Sequence, residues 1–288
     1  MRKFLLLGIF LFVFAYGKSQ VPPLSCSPED REIFRNMMGE LQALSGDAMG
    51  ATMVAVGAKF LGTPYVASTL ELDGQEKLVV NFRGLDCTTF VENVLAISRL
   101  KHEGKADWES YLNTLEKIRY RQGTLQGYPS RLHYFTDWIR DNEQKGLVKD
   151  VTRQIGGVSA EKEINFMGTH PELYPALGRE GNLEQIRRVE TSLSINPLFV
   201  LPAKEVAKQE ESLQDGDIIA LATEIKGLDV THTGIAVTGK DGRIHLLHAS
   251  TEGAVMITKA PLSEYLKKIH KNTGIIVVRP MAPGRQEQ

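Results

Sequence analysis

The 288-residue sequence predicts an α+β protein, with helices in its first half and an antiparallel sheet in its last third. Three observations carry this. Apolar residues recur at helical spacing within residues 28–60, and Phe90, Val91, Val94, Leu95 and Ile97 do so again behind Asp86, a good N-cap. From Asp215 to Arg279, short β-type runs alternate with turn residues such as Lys240-Asp241-Gly242.

Arg2 and Lys3 precede an uncharged apolar run, Phe4 to Tyr16, and small or polar residues follow it. That run suits a secretory signal peptide and is short for a bilayer span, so we read residues 1–20 as a signal peptide and residues 21–288 as one exported domain of the periplasm or cell envelope. A retained anchor and lipidation at Cys26 stay open. A formal net charge of -1, from 34 basic and 35 acidic residues, gives no case for nucleic acid. Two cysteines make no disulfide framework.

Phe34, Met37, Met38, Leu41 and Leu44 mark one helical face, and Met49 to Leu61 a second apolar segment that Pro64 stops just before Tyr65. Gly84 then breaks the extended run Leu78-Val79-Val80, and Cys87 falls in the first turn of the next helix. Unpaired N–H groups and the helix dipole favour a thiolate there, but the dipole is worth only about 0.3–1 kcal/mol, less than one pKa unit. A neighbouring imidazole has to supply the rest.

Asp107 to Tyr120 predicts a helix, Gln122 to Pro129 a loop, and the run Arg131-Leu132-His133-Tyr134-Phe135-Thr136-Asp137-Trp138 the entry to another helix. Arg131, His133, Tyr134 and Asp137 are candidates for contact with a polar, ring-bearing ligand, and an ordinary amphipathic helix would also explain them. From Asp141 to Asn196 only one helix, near Asn182 to Val189, is legible.

In the strand His232 to Val237, period two puts His232 on one side with Gly234 and Ala236. These small neighbours leave space that the Cys87 helix would fill. His248 shares a face with Leu246 and Ile244, so a hairpin can join it to His232, while His245 points the other way. The residues alone leave three readings: a Cys/His hydrolase, a metal site using His232 and His248, and satisfied structural histidines. The metal reading lacks an HExxH-like run and leaves Cys87 idle.

The ordered segments Leu61-Gly62-Thr63-Pro64-Tyr65, Leu85 to Glu92, Asp215-Gly216-Asp217-Ile218, His232 to Val237 and His248-Ala249-Ser250 resemble the signature of NlpC-type cell-wall cysteine hydrolases. The resemblance implies a papain-like core, a Cys-bearing helix on an antiparallel sheet, with Cys87 as nucleophile, His232 as base, His248 as orienting residue and Tyr65 near the oxyanion. Thr88-Thr89 in place of Ser-Gly, and the long separation filled by a mainly helical and loop insertion at about 105–210, together with Arg131 to Tyr134 and Ile244 to Ser250, resemble a branch formerly classed as a domain of unknown function. That likeness implies an N-acetylmuramoyl-L-alanine amidase acting on anhydro-muropeptides, without metal, cofactor or protein partner. The alternatives are a γ-D-glutamyl-diaminopimelate endopeptidase, an acyltransferase on the same core, and a non-catalytic wall-binding module. Whether Cys26 is free or pairs with Cys87 under oxidation stays open.

Overall fold

The computed structural model describes residues 22–42 and 48–284, so the signal-peptide reading of residues 1–20 lies outside it. The first helical stretch is two helices, α1 (Pro28–Gln42) and α2 (Met49–Ala58), and β1 (Leu24–Ser25) pairs in parallel with β2 (Leu78–Val79). Phe34, Met37, Met38 and Leu41 are buried, as their spacing predicts.

Helix α3 (Cys87–His102) is the centre of the helical layer. Asp86 Oδ1 accepts the Thr89 N–H at 2.8 Å and the Asp86 N–H donates to Thr89 Oγ1 at 3.0 Å, a reciprocal cap that fixes where the helix begins. Every residue from Thr89 to Leu100 is buried, so the expected one-sided stripe understates how enclosed this helix is. Its polar members are therefore partnered. Asn93 Oδ1 accepts the Tyr111 hydroxyl at 2.5 Å, Arg99 Nη1 donates to the Met281 carbonyl at 2.8 Å, and Glu92 receives Arg119 Nε at 2.6 Å. Helix α4 (Trp108–Arg119), capped by Asp107, supplies both Tyr111 and Arg119.

Helix α5 (Phe135–Gln144) starts later than the sequence suggests. Arg131 is bridged to Tyr120 in extended backbone, and Arg131 to His133 precede the helix. The insertion is mainly helix and loop, and it also adds short strands to the sheet. Besides α6 (Phe166–Thr169) and α7 (Asn182–Ser194), it contributes the strands β3 (Val148–Asp150), β4 (Val158–Ala160) and β5 (Leu198–Pro202). The remaining elements are β6 (Ile218–Thr223), β7 (Val230–Thr238), β8 (Ile244–Ala249), β9 (Val255–Ile257), α8 (Leu262–Leu266) and β10 (Asn272–Pro280).

Among the described residues these strands form an eight-stranded sheet in the order β4-β5-β10-β6-β7-β8-β9, with β3 also on β10, and every pairing is antiparallel. One face packs Ile218, Ile235, Val237, Leu247 and Ile276 against α2 and α3; the other packs Ile219, Ala236, Leu246 and Val277 against Leu262 and Leu266 of α8. A third cluster, with Tyr134, Met167, Leu177, Ile186 and Leu193, is the insertion's own core.

The Asp215-Gly216-Asp217 motif is a structural corner. Asp215 accepts the Thr238 N–H and hydroxyl, and Asp217 accepts Arg279 through Nε and Nη2, each at 2.9 Å. Gly216, at φ +85°, lies so close to Gly50 that a Cβ there would stand 2.4 Å from the Gly50 Cα. No side chain fits that approach.

Candidate active site

The first turn of α3 presents Cys87 between Asp86 and Thr88, and both neighbours line a solvent-open cavity of about 280 Å³. Because the cap engages the N–H of Thr89, and Phe90 bonds the Asp86 carbonyl, the N–H groups of Cys87 and Thr88 are left without an acceptor among the described residues. Such a pair is a ready oxyanion site.

Strand β7 meets this turn through Thr233. Its hydroxyl donates to the Cys87 carbonyl at 2.9 Å, and its N–H and hydroxyl also face the sulfur and oppose the rise of the thiol pKa. The thiol thus lies against the peptide that follows His232. The pleat puts Thr233, Ile235 and Val237 on the α3 side and His232 on the other with Gly234 and Ala236, as period two predicts, while a register shift between His232 and Val230 returns Val230 to the α3 side. The expectation that the Cys87 helix fills the space over Gly234 is therefore not met. Atoms of Leu246 and His248 occupy it, 2.8 and 2.9 Å from where a Cβ would stand.

His232 and His248 are brought together as the hairpin predicts. His232 Nε2 and His248 Nδ1 are 2.6 Å apart, with the rings edge to face at 86°, and the ring of Tyr265 lies beyond His248. Burial, and for His232 also the neighbouring His248, lower both imidazoles, to about 3 for His232 and about 4 for His248. Burial, followed by the charge of Asp86, raises the Cys87 thiol. The sequence-based expectation of a resting thiolate is thus reversed. The thiol and the histidine pair are both neutral, because burial disfavours their charged forms and the charge acting on the sulfur is the Asp86 carboxylate. Tyr65 is bridged to Leu85 and lies close enough to Cys87 that the thiolate, after burial, raises its phenol.

Arg131, His133 and Tyr134 all line the cavity, together with Glu71, Glu92, Met167 and Tyr174. Arg131 is buried, with Nη2 on Glu71 at 2.6 Å, Nε 3.2 Å from Glu76 and its guanidinium 4.9 Å from the centre of the Tyr128 ring. His133 Nε2 lies 2.9 Å from the Tyr128 carbonyl, and burial, then Arg131, hold it well below the usual imidazole range. Tyr134 donates to Glu190 at 2.6 Å and accepts the Met167 N–H at 2.8 Å, so its ring rather than its hydroxyl is offered to the cavity. Asp137 departs from its expected role: it is buried, held by Arg121 Nη1 and Nη2 at 2.9 and 2.7 Å, and outside the cavity lining.

Sequence reasoning missed Thr233, Glu71, Glu92 and Tyr174. Thr233 had a signal, as the residue next to His232, and Glu92 as the lone carboxylate on the buried helix. Glu71 and Tyr174 stand in aperiodic segments that offered none. Cys26 and Cys87 are both free thiols. Among the described residues no His/Cys/Asp/Glu cluster suits a metal, and no helix is long and apolar enough to cross a membrane.

A comparison with curated proteins matches none of them. Among solved structures, an N-acetylmuramoyl-L-alanine amidase from Bacteroides uniformis is 42% identical, with a TM-score of 0.77 over 81% of this chain and 98% of its own. A candidate xylanase from Bacteroides fragilis is 41% identical, with a TM-score of 0.73 over 78% of this chain and 99% of its own. A Legionella pneumophila protein, 21% identical, shares the fold at a TM-score of 0.68 over 88% of this chain and 97% of its own. The family model described as N-acetylmuramoyl-L-alanine amidase-like matches residues 55–275, and with these likenesses it shows that the chain belongs to that family.

Proposed function

We propose that the chain is a cysteine-dependent N-acetylmuramoyl-L-alanine amidase. It cuts the amide between (anhydro-)N-acetylmuramic acid and the L-alanine of the stem peptide in soluble peptidoglycan fragments. The observation that supports this most is a thiol in the first turn of α3, beside two unpaired N–H groups and packed on Thr233 of β7, whose neighbour His232 is hydrogen-bonded to His248. The family and the Bacteroides uniformis amidase supply the bond. In this reading α3 on the sheet is a papain-like core of the NlpC type. Residues 1–20 export a single domain to the periplasm or envelope, and neither metal nor cofactor takes part. A glycosidase, as named for the Bacteroides fragilis protein, needs two carboxyl groups free to act on one bond. Here Asp86 caps α3, Glu92 holds Arg119 and Glu71 holds Arg131.

Cys87 sulfur attacks the lactyl carbonyl carbon while its proton passes to His232 Nδ1, the ring nitrogen not facing His248. For that, His232 Nε2 must carry the proton shared with His248 Nδ1. With a raised thiol and a depressed imidazole, transfer is uphill at rest and is coupled to formation of the C–S bond. The oxyanion forms beside the N–H groups of Cys87 and Thr88. His232 then returns its proton to the L-alanine nitrogen as the C–N bond breaks. Water deprotonated by His232 cleaves the thioester and restores the thiol.

The purified protein, mixed with anhydro-disaccharide-tetrapeptide, is expected to release disaccharide with a free lactyl carboxylate and intact tetrapeptide, read by mass spectrometry. Disaccharide still carrying L-alanyl-D-glutamate would make it the endopeptidase instead, and transfer to an added amine would make it an acyltransferase.

The pH dependence has a definite sign. The active form needs neutral His232, so kcat/KM is expected to stay level from pH 7 down through pH 5, where an unperturbed imidazole of about 6.5 is mostly protonated. An acid limb centred near 6.5 would contradict the described site. Lowered imidazole values also mean that the folded state loses stability as pH falls below about 6.5, so circular dichroism at each pH separates titration from unfolding.

A further inference from the structure

We propose, resting on the cysteine-dependent amidase reading, that Thr233 is a positioning residue. Its hydroxyl clamps the first turn of α3 to β7 and thereby sets the Cys87 thiol against the strand that carries His232.

The thiol and its base belong to different layers, one to the helices and one to the sheet. Asp86 fixes where α3 begins, and Thr88 turns its hydroxyl toward the sulfur, but both move with the helix. Neither can hold Cys87 at a set distance from β7. Thr233 can. Its hydroxyl donates to the Cys87 carbonyl at 2.9 Å, and among the described residues no other hydrogen bond joins that turn to β7. In a helix that begins at Cys87 this carbonyl also takes the Val91 N–H, so the threonine fills its second lone pair.

The strand leaves this residue free for the task. The Ala236 N–H bonds the Asp217 carbonyl beside β6 at 2.8 Å, so alternation along β7 sends the Thr233 N–H to the opposite edge, toward β8. There the pairing of β7 with β8 runs only as far as Ile235 and Leu247. Past that point the Thr233 N–H faces the Cys87 sulfur, and its buried side chain points the same way. His232 is one peptide away. A slip of the α3 turn along β7 therefore changes directly how far the sulfur stands from the imidazole.

Two readings on the full chain test this: kinetics on the soluble muropeptide at pH 7, and the rate at which iodoacetamide alkylates Cys87 at pH 8, followed on the Cys87 peptide by mass spectrometry. Thr233→Val keeps the branched shape that suits a strand and removes the hydroxyl. It is expected to lower kcat about thirtyfold with KM changed less than about threefold. Alkylation is expected to slow about fivefold, because the thiolate loses a donor. Thr233→Ser, which keeps the donor, is expected to restore both readings to within about twofold of the parent. Thermal melts report folding, and Thr233→Ala repeats the loss of the hydroxyl should the valine variant fail to fold. A residue that only filled space would give the opposite sign, since loosened packing exposes the thiol and speeds its alkylation. Alkylation of the hydroxyl-free variant at the parent's rate or faster, an unchanged kcat, or a serine variant no better than valine overturns the proposal. Alkylation needs no muropeptide. Absence of cleavage even by the parent, with the alkylation contrast intact, would therefore refute the amidase reading alone.

Discussion

Alanine at position 87 is expected to lower kcat/KM by about 10,000-fold while shifting the melting temperature by only a few degrees. In the proposed mechanism the thiol carries the acyl intermediate, and what survives its loss is direct attack by water assisted by the oxyanion donors. Cys87 is only partly buried at the surface of a helix end, so the alanine leaves no deep cavity. Serine should restore little. Its hydroxyl is a far weaker acid than the thiol, and a histidine lowered to about 3 is a poor base to activate it. Retention of more than about a tenth of the activity by either variant, measured on a soluble muropeptide at pH 7, would remove Cys87 from its assigned role.

The largest stability effect is expected from Arg119→Met. Arg119 is fully buried, with Nε on Glu92 at 2.6 Å and Nη1 on the Val79 carbonyl at 2.6 Å. Burial raises Glu92, and Arg119 opposes that rise. Removing the guanidinium leaves a buried carboxyl without its counterion, at a cost of about 3–5 kcal/mol. For a chain of this size that lowers the melting temperature by roughly 10 °C. Glu92→Leu combined with Arg119→Met should recover much of the loss, because two apolar groups of matching volume need no partners. Calorimetric melts of both variants decide it. An unchanged single variant would mean that the pair is not enclosed as described. Glu92 also lines the cavity, so the double variant is expected to stay impaired in activity even where its stability returns.

Much of this arrangement could be read from residue patterns. Asp86, Cys87 and the apolar spacing behind them placed the start of α3, and the turn residues between short β runs placed the hairpin that joins His232 to His248. These features are local, and local chemistry is written in adjacent residues. Three things were not. What fills the space over Gly234 depends on the neighbouring strand, whose Leu246 and His248 occupy it. The engagement of Asp137 with Arg121 depends on the loop folding back across sixteen positions. The strands of the insertion are three to five residues long, too short to show a period, and exist because the sheet edge accepts them.

Strand β10 carries one more consequence. It is the last strand among the described residues, yet it lies inside the sheet, hydrogen-bonded to β6 along one side and to β5 and β3 along the other. As the polypeptide emerges during synthesis, the insertion's strands and the histidine hairpin are therefore two fragments with open edges until residues 272–280 arrive to join them. Closure is a late, long-range event. The two halves of the sheet thus become one layer only when that strand is in place.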